Sequence, residues 1–188
     1  LASPIAIGEA PTDYERRMVA AAGESAGNAA DEGTRIHAAV QGSILGEPIN
    51  PAYQTTVDGA MAALAALCGP QEWRAEVGAI SPFGYGTKAD CVARNSSWLI
   101  DWKGHEKDDG ELKTYSSHWM QLAATRRALG VNSMRCAIGF IHRTELGTAR
   151  CIEVTGEQLD RGWDMFLALL RFWQADKNYR PLWSLEES

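Results

Sequence analysis

The chain has 188 residues, 45% of them hydrophobic and 22% charged, with a formal net charge of −6. That is ordinary globular composition, enough for one domain with its own core, and it excludes a fibre or a wholly disordered chain. The acidic balance argues against a protein that coats nucleic acid unselectively, and no apolar run reaches the ~18–20 residues a membrane span needs. The acid is unevenly spread: residues 72–151 carry 11 Lys+Arg against 9 Asp+Glu, and the remainder 7 against 15. A less acidic middle can accept a phosphate backbone, although net charge alone identifies no partner. No basic-then-apolar leader opens the chain, so the expected location is cytoplasmic, with no membrane partner. The first residue is Leu1 rather than Met, which leaves room for trimming or for a fragment of a larger protein.

Residues 1–10 contain Ala, Gly and Pro and are expected to be loose. A short helix from about Asp13 to Ala22 follows, broken near Gly23 and Gly27. Residues 28–45, "NAADEGTRIHAAVQGSIL", are acidic at the start and predict a helix that carries His37. The Ala-rich segment 51–70 opens on Pro51 and stops at Gly69-Pro70, the usual order of helix punctuation. Strands are expected near 72–81, 85–93 and 97–103, then an amphipathic helix over 111–129 stopped by Gly130, then strands near 133–142 and 149–154. Thr155 to Gln158 forms a capping-box pattern that opens a helix to about Ala175. The tail beyond it is irregular, with Tyr179 and Trp183 to pin it down. No repeat and no linker divides the chain. The expectation is one α/β domain over 1–188, a central mixed sheet flanked by helices, with a core over about 28–154 and a C-terminal helix and tail over 155–188. A helix between the third and fourth strands permits a parallel crossover there. Cys68, Cys91, Cys136 and Cys151 show no CxxC spacing and are expected as buried thiols rather than a metal cluster.

The segment 86–106, "GTKADCVARNSSWLIDWKGHE", places two acids and a lysine in strand-like sequence. A hairpin turning on Asn95-Ser96 sets Asp90 opposite Asp101, where facing side chains have Cβ atoms about 4.5–5.5 Å apart. Lys103 lies two residues beyond Asp101, on the same face of the same strand. Two readings compete. One is a surface ion cluster in which Lys103 neutralises Asp101. The other is a hard-cation site with carboxylate ligands and open positions, the lysine standing beside the water that attacks phosphorus. The apolar company of Leu99, Ile100 and Trp102 favours the second, because charge in a strand of that kind needs a reason.

"GTKAD", followed eleven residues after Asp90 by "DWK", resembles the core of the PD-(D/E)XK nuclease superfamily. Three further segments resemble its RecB-type, phage-type exonuclease branch: "GTRIHAAV" its histidine helix, "AEVGAI" its strand with an extra acid, and "HWMQLAATRRAL" its Gln-containing helix. The resemblance spans about Gly33 to Leu129. It implies a restriction-endonuclease-like core of αβββαβ order and Mg²⁺- or Mn²⁺-dependent hydrolysis of DNA, with one or two ions per site. By that resemblance Asp90 and Asp101 hold the metal with the backbone carbonyl of Trp102, and His37 and Glu76 are further ligands. Lys103 activates the water and stabilises the phosphoryl charge, and Gln121 holds the lysine or a DNA phosphate. Lys88, His118, Arg126 and Arg127 are candidates for phosphate contact, Trp119 for stacking on an unpaired base, and His105 is expected in a loop. Two departures stand out: Ala89 replaces the proline that names the motif, and Thr125 occupies the position of a tyrosine four residues after Gln121. The implied partner is DNA, as single- or double-stranded ends in recombination, repair or phage DNA processing, with room for a single-strand annealing or helicase partner. A structure- or site-specific endonuclease and a catalytically dead DNA-end binding module are the alternatives. No lysine-bearing Gly-rich phosphate loop and no H-E-x-x-H helix occurs.

Overall fold

A computed structural model describes residues 31–106 and 112–181. The expected loose segment 1–10, the short helix near Asp13, the start of the second helix at 28–30 and Trp183 of the tail lie outside the described residues. The chain divides into two units, Leu1–Arg35 and Ile36–Ser188. Within the first unit, Arg35 pairs with Glu32 at 3.3 Å. The second unit holds the sheet.

Helix α1 covers 31–45. A 3-10 turn at Pro51–Tyr53, with the Asn50 side chain accepting from the Ala52 N–H, leads into α2, Gln54–Cys68. Five strands come next: β1 Trp73–Ser81, β2 Tyr85–Ala93, β3 Trp98–His105, β4 Arg135–His142 and β5 Ala149–Val154. Helix α3, Ser116–Ala128, joins β3 to β4, and α4, Gly156–Asp176, closes the order. The sheet runs β1-β2-β3-β4-β5, with β3 and β4 parallel across the α3 crossover and every other neighbour antiparallel. This is an α/β fold: a mixed five-stranded sheet with helices on both faces. Among the described residues no helix is long and apolar enough to cross a membrane.

The alternation of the central strands builds two cores. On one face Cys91, Ala93, Ile100, Trp102, Ala137 and Ile141 pack against Ile36 and Val40 of α1 and Val57, Ala60 and Leu64 of α2. On the other, Val92, Leu99, Cys136, Ile138 and Phe140 meet Leu122 and Ala123 of α3 and Leu159 and Trp163 of α4. The capping box expected at Thr155 forms: its hydroxyl accepts from the Gln158 N–H at 3.2 Å, and the Gln158 side chain accepts from the Thr155 N–H at 2.9 Å. Helix α3 starts later than the sequence pattern suggests, because Tyr115 is extended at φ −116°, ψ 163° and its N–H is taken by His118 Nδ1 at 3.2 Å. That local cap competes with a further helical turn. All four thiols are free, Cys91 and Cys136 buried and Cys68 and Cys151 half-buried. Burial pushes Cys136 and Cys151 up to about 12 and Cys68 to about 11, so none of these three is thiolate at neutral pH.

Trp102 is buried on β3 and pairs with Gly139 of β4. A Cβ at position 139 would collide with the Trp102 ring, so the glycine is what lets the indole lie flat on the neighbouring strand. Gly139→Ala is therefore expected to destabilise the protein by about 1–3 kcal/mol through overpacking, and to shift Trp102 and the residues beside it. Urea denaturation checks this; a wild-type midpoint would mean the ring has space to move.

Candidate active site

The turn between β2 and β3 forms where expected. Ser96 adopts a left-handed φ of 58° and donates to the Ala93 carbonyl at 2.8 Å, while Asn95 Oδ1 accepts from the Ser97 N–H at 3.0 Å. The register it sets pairs Val92 with Leu99 and Cys91 with Ile100. The next pair would be Asp90 with Asp101, and there the ladder stops. Asp90 Oδ2 instead accepts the backbone N–H of Trp102 at 2.9 Å, a side chain taking the place of a ladder carbonyl. The β1–β2 ladder is interrupted at the same level: Ala75 pairs with Cys91 and Val77 with Ala89, but the pair Glu76–Asp90 between them is missing. Glu76 sits there with φ of 55°, a conformation uncommon for a non-glycine residue and concentrated at functional sites. No sequence pattern signalled it.

Asp101 is the buried acid of the group, 5% exposed. Its Oδ1 accepts from Gln121 Nε2 at 2.5 Å, and Lys103 Nζ stands 2.8 Å from Oδ2. The same ammonium group donates to Gln121 Oε1 at 3.2 Å. Asp101, Lys103 and Gln121 thus close a triangle between β3 and α3. Lys103 meets the buried Oδ2 as a close, charge-assisted contact that favours the ionised carboxylate. Burial lifts the Asp101 carboxyl from the ordinary 3.8 to about 6; Lys103 pulls it down, and the charge of Asp90 adds to the lift.

His37 comes from α1 to the other side of Asp90, with Nδ1 4.0 Å from Asp90 Oδ2 and a hydrogen bond to the Trp102 backbone. Burial holds its pKa below the ordinary 6.5 against the pull of Asp90, so at neutral pH the ring is uncharged and able to act as a ligand. Glu76 pairs with Lys88 across the β1–β2 hairpin.

The remaining candidates divide by position. His118 caps α3 through Nδ1 and is held neutral first by burial and then by the charge of Lys103, which puts it beside the triangle. Arg126 is not brought to it: the side chain is 10% exposed, with its guanidinium 4.0 Å from Asp160 of α4. Arg127 lies over the Trp163 ring at 4.6 Å. Trp119 packs into the α3–α4 core and donates from Nε1 to Thr114 at 2.9 Å. His105, expected in a loop, is the last residue of β3 and meets His142 edge to face, because β3 keeps its pairing with β4 two residues beyond Lys103. Thr125 bonds Thr87 at 2.7 Å and Tyr85 donates to the Ala124 carbonyl at 3.0 Å, so the turn after Gln121 anchors α3 to β2.

Carboxylate oxygens, a backbone carbonyl and a neutral imidazole suit Mg²⁺ or Mn²⁺. The chemistry of the donor set fits such a cation: the carboxylates of Asp101 and Asp90 are close enough that the charge of Asp90 lifts the Asp101 carboxyl. In this conformation the would-be ligands are occupied with Trp102, Lys103 and Gln121, and among the described residues no three His, Cys, Asp or Glu side chains are gathered around one point that could hold a metal ion.

No family model matches the chain, and no curated protein does. Among solved structures, one described as "Crystal structure of SSO0001" is similar to part of the chain, at 19% identity and a TM-score of 0.33. The match covers 58% of this chain and 56% of that one, and agreement at that level carries no argument about fold or activity.

Proposed function

We propose that this protein is a metal-dependent deoxyribonuclease of the PD-(D/E)XK superfamily, with a restriction-endonuclease-like core, that hydrolyses phosphodiester bonds at DNA ends. The observation that carries the reading is the buried Asp101 carboxylate, clasped by Lys103 and Gln121 next to a second acid at a break in the sheet. An ion pair serving stability alone gains little from burial, since desolvation offsets its attraction. A reactive site, in contrast, needs a carboxylate with a shifted pKa and a cation beside it.

Asp90, Asp101 and the Trp102 carbonyl would hold Mg²⁺ or Mn²⁺, with His37 and Glu76 as additional ligands. Bound there, the ion supplies Lewis acidity and a water of lowered pKa. The protein's own groups do the rest. Lys103 Nζ, held by Gln121 and Asp101, orients the attacking water and sets positive charge where the phosphoryl oxygens become more negative. Gln121 fixes the lysine by accepting from it and fixes Asp101 by donating to it. His118 and the exposed Lys88 stand where a DNA phosphate would approach.

End-labelled linear DNA and covalently closed circles, each with Mg²⁺, Mn²⁺ or EDTA, provide the test. Linear DNA is expected to be degraded progressively with either metal while circles survive. Circles cut as fast as linear DNA would make the protein an endonuclease. Degradation that persists in EDTA would remove the metal mechanism altogether.

A further inference from the structure

The β1–β2 hairpin continues past the acid cluster toward its tip at Pro82 to Gly84, and its outward face has an unusual make-up. Two cross-strand pairs cover it, Gly78 with Lys88 and Ile80 with Gly86. Each long side chain stands opposite a glycine. Ile80 is 86% exposed next to the tip of a sheet-edge hairpin, where an apolar side chain is a liability for aggregation unless something uses it. The fold itself does not demand these glycines. Neither has a positive φ; a Cβ on Gly78 would meet nothing within 4 Å, and one on Gly86 only the Ala79 carbonyl at 3.9 Å. Glycine in a strand with free space above it is a mark of close approach by another molecule.

Beside this face lies an open cavity of about 590 Å³, lined by Ile80, Gly86 and Tyr179 among others. Tyr179 rests on Gly84, where a Cβ would come 3.1 Å from its hydroxyl oxygen, and it is 40% exposed. The cavity is therefore flanked by an aliphatic and an aromatic side chain, and Lys88 follows two residues along β2 from Gly86, outside the cavity and toward Asp90. Lys88 pairs with Glu76 at the surface, where such pairs contribute little and exchange readily for a phosphate. From Gly86 to Asp90 along the strand is about 13 Å at the usual rise per residue, within reach of nucleotides flanking a phosphate held at the cluster.

We infer that the outward face of the β1–β2 hairpin is the track for an unpaired DNA strand, a base seated between Ile80 and Tyr179 and a phosphate on Lys88. The inference rests on the nuclease reading and adds the substrate class. An unpaired strand fits this surface where a blunt duplex does not, because a base offers its face to an apolar side chain only after leaving the stack. The glycines leave the sugar–phosphate chain free to lie against the sheet.

The test is equilibrium binding of a fluorescent oligo(dT) and of a blunt hairpin duplex in EDTA, for wild type, Ile80→Ser and Gly86→Val. Both substitutions are at exposed positions, and valine favours a strand, so melting temperatures close to wild type are expected. Loss of the apolar contact in Ile80→Ser, and the side chain set in the path of the strand in Gly86→Val, should each weaken oligo(dT) binding about tenfold and leave duplex binding unchanged. Wild-type affinity for oligo(dT) in both variants, or no binding by wild type, overturns the inference. A wild-type dimer that Ile80→Ser makes monomeric also overturns it, since the face then serves self-association. Failure of the nuclease reading is separate: it is wild-type protein that cuts no DNA with either metal.

Discussion

Lys103→Ala is expected to produce a folded protein that binds metal and DNA but cleaves about 10²- to 10³-fold more slowly, the usual effect of deleting one well-placed electrostatic or proton-handling group. Lys103 touches Asp101 and Gln121 and contributes no packing to either core, so the variant should fold. Its loss has a second, independent signature. Lys103 is the group that pulls the Asp101 carboxyl down against burial, so without it that carboxyl moves further up. The pH at which residual activity rises should move in the same direction. Single-turnover cleavage from pH 5 to 9 with saturating metal measures both. A near wild-type rate would reduce Lys103 to an ion-pair partner of Asp101 and remove the central residue of the nuclease assignment.

Asp101→Asn is expected to abolish metal-dependent cleavage and, at the same time, to stabilise the metal-free protein at neutral pH. The folded-state pKa of about 6 lies above the ordinary 3.8, so folding favours the protonated acid. That contribution is present at low pH and is lost as pH rises through about 6. At pH 8 the wild type carries a buried charge that asparagine does not. A carboxyl raised from 3.8 to about 6 corresponds to roughly 3 kcal/mol, the upper bound of the expected gain. The advantage should shrink below pH 6 and vanish near pH 4, where the wild-type acid is itself neutral. Added Mg²⁺ or Mn²⁺ should raise the melting temperature of the wild type and leave the variant unmoved. Denaturant melts at pH 4 and pH 8, with EDTA or metal, check all three statements. A variant less stable than wild type at pH 8 would show that Asp101 stabilises the fold through its ion pair rather than at a cost to it.

The two variants also separate the readings of the acid–lysine group that compete in the sequence. In a structural ion cluster both substitutions destabilise and neither affects a reaction. In a reactive site Lys103→Ala lowers stability at pH 8, because the Asp101 charge stays buried without its cation, while Asp101→Asn raises it, and both remove cleavage. Selection for function over stability leaves that pattern, because residues held ready for chemistry are not in their most stable surroundings.

Much of the architecture was legible from local signals. Pro51 and Gly69 bracket α2, Thr155 and Gln158 cap α4, and the Asn95-Ser96 turn sets the β2–β3 register, each through an interaction spanning a few residues. The same-face placement of Asp101 and Lys103 also follows from strand period alone, and their 2.8 Å ion pair agrees with it. Other features depended on which elements meet. The tertiary structure decided that Gln121 would bridge Asp101 and Lys103, because that needs α3 laid over β3. It decided that Arg126 would be enclosed against α4 rather than left for a phosphate, since an arginine in a helix faces wherever that helix is packed. It also decided that the Asp90–Asp101 pairing would break in favour of a bond from the Trp102 N–H to the Asp90 side chain, and that Glu76 would turn left-handed opposite Asp90. Periodicity and caps report the chain's own geometry and are written every few residues. Burial, the orientation of a helix on a sheet and the interruption of a ladder are properties of surfaces brought together from distant parts of the chain, and they exist only once the chain is folded.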